Sequence, residues 1–132
     1  MIRNALLPLL IIALLPTGCS NPRVPAAPPS QVKDGLTVTL VTDTAHSGDN
    51  TLTVTLSDSL TQTPVGNANI TATPNMLSPQ LPGTPTSGRA QGNGVYNIPV
   101  RLGVATRYSL LLHIERPGQP ATEITFPIEA MQ

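Results

Sequence analysis

Thr51-Leu52-Thr53-Val54-Thr55-Leu56 decides the fold of this chain. Apolar residues alternate one for one with threonines, which is the period of a half-buried strand and not of a helix. The same pattern recurs on both sides. Leu36, Val38 and Leu40 alternate with Thr37 and Thr39, and a turn-forming run, His46 to Asn50, separates this segment from the first. Ala68, Ile70 and Ala72 form a third run, and a short fourth strand is expected from Ser87 to Gln91. Val95 to Leu102 places Tyr96, Ile98, Val100 and Leu102 on one face. The next strand directs Tyr108, Leu110, Leu112 and Ile114 inward and Ser109, Leu111, His113 and Glu115 outward. After Arg116 to Pro120, a last strand turns Ile124, Phe126 and Ile128 inward. No window carries an apolar stripe at helical spacing.

Seven short strands separated by turns, with no crossover helix, imply an all-β fold. The expected form is an immunoglobulin-like antiparallel β-sandwich, with a small barrel as the alternative. Pro99 and Pro127 interrupt strand runs, and each forfeits a ladder hydrogen bond, so both should stand where a strand has a free side. Residues 74–94 contain Pro74, Pro79, Pro82 and Pro85, and are expected to form a long loop, the best candidate surface for a partner.

The N-terminal segment has a separate character. Arg3 precedes the apolar run Ala5 to Leu15, and the small residues Thr17 and Gly18 precede Cys19, the single cysteine. A charged start, an apolar stretch and a small-residue site make a secretory signal peptide, too short for a membrane helix. A cysteine directly after that site resembles a bacterial lipobox, although Pro16 stands where a leucine is usual. The resemblance implies cleavage before Cys19 and attachment of diacylglycerol to its sulfur. The expected divisions are a lipoprotein signal peptide at 1–18, a lipidated cysteine with a proline-rich spacer at 19–32, and the sandwich at 33–132. The alternative is a plain signal peptide that leaves Cys19 a free thiol. The implied location is extracytoplasmic, tethered to a membrane: the outer membrane of a diderm cell, since Ser20 follows the cysteine, or the outer face of a monoderm plasma membrane.

The 132-residue chain balances seven Lys and Arg against seven Asp and Glu. With no basic patch, nucleic acid is not an expected partner. Tyr96, Tyr108 and Phe126 are the only aromatic residues, so the core falls to Leu, Val and Ile. Asp34, Asp43, Asp49 and Asp58 sit at strand ends or turns, where Asp forms turns, and Glu115, Glu123 and Glu129 read as solvated charges. No nucleophile elbow or phosphate-binding loop is present, and the chain is expected to be non-enzymatic.

From Gly35 to Ala130 the order of features resembles the YtkA-like domain and its relative, the periplasmic FixH-like domain. The resemblance lies in Gly35 to Leu40, Asn50 to Asp58, Thr63 to Ile70, Gly94 to Val100 and Arg107 to Ile114, with Tyr108 where the family usually has tryptophan. Such domains often carry a methionine and histidine cluster after the third strand, which implies copper handling, since thioether and imidazole suit Cu(I). Met76 matches that position, but no second methionine or histidine follows. Met76 and His113 are therefore the candidate metal ligands by resemblance only, while His46 reads as a turn residue and Met131 as a terminal one. Three readings stay open: an accessory module that engages an envelope protein, a copper carrier or assembly accessory, and a structural surface lipoprotein without a specific ligand.

Overall fold

In the computed structural model, residues 28–42 and 44–132 are described, together with Gly18. The expected signal peptide, Cys19 and most of the spacer lie outside the described residues. Among these residues eleven strands are formed: β1 (Ser30–Lys33), β2 (Leu36–Leu40), β3 (Ala45–His46), β4 (Gly48–Asp58), β5 (Asn69–Leu77), β6 (Gln80–Leu81), β7 (Thr86–Ser87), β8 (Arg89–Gly92), β9 (Val95–Leu102), β10 (Arg107–Glu115) and β11 (Thr122–Met131). Among the described residues no helix is long and apolar enough to cross a membrane.

One sheet has the order β1-β2-β4-β9-β8 and the other β3-β11-β10-β5-β6, with β7 also on β5. Leaving aside β1, β7 and the short β3 and β6, the strands in chain order pair as A-B-E-D and G-F-C, the immunoglobulin arrangement. Every pairing is antiparallel except β3 with β11, where the chain crosses from the first sheet to lie along the last strand. The alternating residues meet between the sheets. Leu36, Val38, Val54, Ala72, Ile98, Leu102, Leu110, Leu112 and Ile114 have no exposed surface, and Tyr96 and Phe126 supply the largest buried rings.

Four of the eleven strands answer no alternating pattern, and each is short. Ser30 to Lys33, of which Ser30 to Val32 are placed in the spacer by sequence, instead pairs with β2 through a two-residue turn at Asp34 and Gly35. Both turn residues have positive φ, 51° and 73°, the type I′ geometry that suits Asp-Gly. From β1 the Gln31 amide donates to the Thr125 carbonyl at 2.7 Å and the Lys33 ammonium to that of Glu123 at 2.8 Å. These bonds cover the free side of β11, so β1 closes one flank of the sandwich.

The loop expected over residues 74–94 is not a loop. β5 runs through Pro74 to Leu77, turns back as β6, and the chain then passes along β5 as β7 before joining the other sheet as β8. Proline is accommodated because β6 and β7 leave β5 unpaired at residues 73–75 on that side. Gly83 fills the gap: a Cβ there would collide with the Pro74 carbonyl, and its N–H donates to the Asn75 side chain at 3.1 Å. Pro99 and Pro127 occupy the positions expected of them. β8 pairs with β9 no further than Asn97, and β3 meets β11 only at Ala130 and Met131.

Candidate functional site

The two ends of the sandwich are built differently. At the end that carries Asp34, turns are fastened by polar side chains. The Asp34 carboxylate accepts the Thr122 hydroxyl at 3.1 Å, and Arg116 donates to the Asp34 carbonyl at 2.9 Å. The Asp58 carboxylate accepts the N–H groups of Leu60 and Thr61, both at 2.9 Å. Those bonds, first that from Thr61 and then that from Leu60, hold the Asp58 carboxyl below its ordinary range. Tyr96 completes this end, donating to the Val65 carbonyl at 2.7 Å and accepting the Ala68 N–H at 3.1 Å.

The opposite end is organised by Tyr108, the first inward residue of β10. Its hydroxyl donates to the Val104 carbonyl at 2.9 Å and accepts the Val104 N–H at 3.2 Å. This is the tyrosine corner of immunoglobulin-like sandwiches, and it fixes the turn between β9 and β10. Met76 of β5 and Ile128 of β11 flank Tyr108 in register, and Leu81 of β6 pairs beside Met76. Between this hairpin and the β9–β10 turn lies an open hollow of about 470 Å³, floored by Met76, Leu81, Pro82 and Tyr108, with Thr84 and Arg101 on its wall. Its size falls within the range of small-ligand pockets, and its lining is mostly apolar with few polar groups. A second hollow, of about 370 Å³, lies on the other flank against Leu40, Ala45, Pro127 and Met131.

Met76 and His113 do not come together. Met76 stands opposite Tyr108 on the inner face, whereas His113 stands opposite Thr71 on the outer face. Five positions of β10 separate them, roughly 17 Å at the rise of a strand. The His113 ring is engaged by carboxylates on both nitrogens, Glu123 on Nδ1 and Glu115 on Nε2, each at 3.2 Å. These bonds, with Glu115 contributing most, raise its pKa above the ordinary 6.5. Among the described residues no group of three or more His, Cys, Asp or Glu is arranged to hold a metal ion. The donor set implied for copper is therefore not assembled by Met76 and His113. His46 is placed instead beside Met131, where β3 pairs with β11. Sequence reasoning missed the hollow because Pro74 and Pro82 read as breakers, whereas they floor and edge it.

No family model matches the chain, and no curated protein does either. The chain is similar in structure to a crystal structure of a DUF4426 family protein from Pseudomonas aeruginosa PAO1, with a TM-score of 0.53 and 17% sequence identity. The match covers 78% of this chain and 96% of that one. At this identity the likeness shows the sandwich fold alone. The resemblance to YtkA-like and FixH-like domains gains no family match.

Proposed function

We propose that the protein is a lipid-anchored, non-enzymatic binding module of the bacterial envelope, tethered through Cys19 and engaging an envelope protein with its Tyr108 end. The observation that carries the reading is the apolar hollow over Met76, Leu81 and Tyr108, open at one end of a sandwich whose other end is closed by hydrogen-bonded turns. A sandwich that leaves an apolar concavity with Arg101, Thr84 and Thr86 on its wall suits an apolar segment bearing a hydrogen-bond acceptor. The carboxylates support a structural part. Asp34 and Asp58 are committed to turns, and Asp49 lies 3.7 Å from Arg101 with both side chains largely exposed. The tether reading is supported by Arg3, the apolar run Ala5 to Leu15 and the Thr17-Gly18-Cys19 site. The test places a photo-cross-linking phenylalanine at Thr84 or at Leu60 in the full chain, in the cell that makes it. A discrete protein adduct from position 84 and none from position 60 is expected. Equal yields from both positions, or no adduct from 84, would remove the reading.

A further inference from the structure

The side chains that the fold leaves uncovered are not evenly spread. Four of the exposed large apolar residues crown the Tyr108 end: Leu77 (49% exposed) and Leu81 (51%) on the β5–β6 hairpin, Val104 (51%) on the β9–β10 turn, and Met131 (48%) at the end of β11. The Asp34 end shows two, Val32 and Leu60. Apolar tips gathered around one rim mark an interaction surface, where single scattered ones would not.

Two further observations say what covers that rim. First, the chain enters from that side. β1 runs antiparallel to β2 with Lys33 opposite Leu36 and Ser30 opposite Thr39, so the backbone before Ser30 heads toward the Tyr108 end. Pro29 is held there by the Leu40 N–H at 3.0 Å, and Pro28 and Pro29 share the second hollow with Met131. From Cys19 to Pro28 is a run of about nine residues, which in any conformation spans no more than about 32 Å. Second, the charges are polar along the long axis. Among the described residues, Arg101 and Arg107 stand with Asp49 and Glu129 at the Tyr108 end, whereas Asp34, Asp58, Glu115 and Glu123 outnumber Lys33 and Arg116 at the other; Asp43 lies outside the described residues. An anionic bilayer surface repels the second end more than the first.

We infer that the rim of Leu77, Leu81, Val104 and Met131 rests on the bilayer surface, with the Asp34 end pointing away from it. The inference depends on the anchor at Cys19 and sharpens the proposed function: the hollow over Tyr108 then opens at the membrane, within reach of a membrane-borne partner.

The chain contains no tryptophan, so single tryptophans report without background. Val104→Trp, Leu81→Trp and Leu60→Trp all fall at exposed positions. Each full chain, its acylation read from intact mass, is incorporated in vesicles of phosphatidylethanolamine and phosphatidylglycerol carrying brominated acyl chains. The expected result is at least twofold quenching at 104 and 81, with little at 60. Acylated protein with equal quenching at both ends, or with none, would overturn the inference and leave the anchor intact. A chain whose mass shows no acyl group would remove the anchor and the inference together.

Discussion

The two ends of this sandwich have the same core between them and opposite finishes. Around Asp34, Asp58, Tyr96 and Thr122, side chains satisfy backbone groups and one another, so the end is closed. Around Tyr108 its hydroxyl, with the Asn50 and Asn75 side chains, secures the turns, yet Leu77, Leu81, Val104 and Met131 remain in water. Polar stitching keeps turns in place without calling for a partner. Uncovered apolar tips cost solubility, and in a small chain their concentration at one end points to use there.

The largest effects should come from the core where it meets the closed end. Ile114→Ala removes a fully buried side chain and is expected to cost about 2–5 kcal/mol. Met76→Ala, partly buried at the open end, should cost less than about 2 kcal/mol. Urea unfolding of the two variants compares them directly, and an equal loss would break the contrast. Next come the two tyrosines. Tyr96→Phe leaves the Val65 carbonyl and the Ala68 N–H without their partner inside the fold, at about 1–3 kcal/mol. Tyr108→Phe should cost about 1 kcal/mol, because Val104 lies on an exposed turn where water can take over. Thermal melts of both variants order them, and the reverse order would place the rigid end at Tyr108.

Most of what distinguishes the ends was not legible in the sequence. The inner faces of β2, β4, β9 and β10 were, because a one-for-one apolar alternation such as Thr51 to Leu56 leaves one choice of face, and every inward residue named there is buried. β1, β3, β6 and β7 were not, since edge strands of two to four residues are held by backbone and side-chain hydrogen bonds with little apolar burial to signal them. Pro74 misled for a related reason. Proline breaks a strand that has neighbours on both sides, and whether β5 has a second neighbour at that position depends on Gly83, nine residues away and packed there only in the folded chain. Met76 and His113 were joined as candidate ligands by family resemblance alone, and the register of β5 against β10 sets them on opposite faces of one sheet.

The titrating groups give smaller, pH-dependent effects. Asp58 is depressed in the folded protein, so its contribution is full above the ordinary 3.8 and is lost as pH falls through its lowered value. Asp58→Asn should therefore flatten the acid limb of stability against pH. His113 is raised, so its contribution is full below 6.5 and is lost as pH rises through its folded value. His113→Gln should lower stability at pH 5 and leave it unchanged at pH 9, as read by denaturation at the two pH values. The smallest effect on stability belongs to the open rim. Leu81→Ser should change the free energy of unfolding by no more than about 0.5 kcal/mol. The same substitution should lower the yield of the adduct formed from position 84, which separates a surface kept for binding from one kept for folding.

Amide hydrogen exchange of the acylated full chain, compared between phosphatidylglycerol-containing vesicles and detergent micelles, reads both ends in one experiment. Protection gained in vesicles over residues 76–82 and 102–107, with residues 58–63 and 116–121 unchanged, is the expected result. Equal protection of the two ends, or protection confined to residues 58–63 and 116–121, would contradict the division of this molecule into a closed structural end and an open one that meets the membrane.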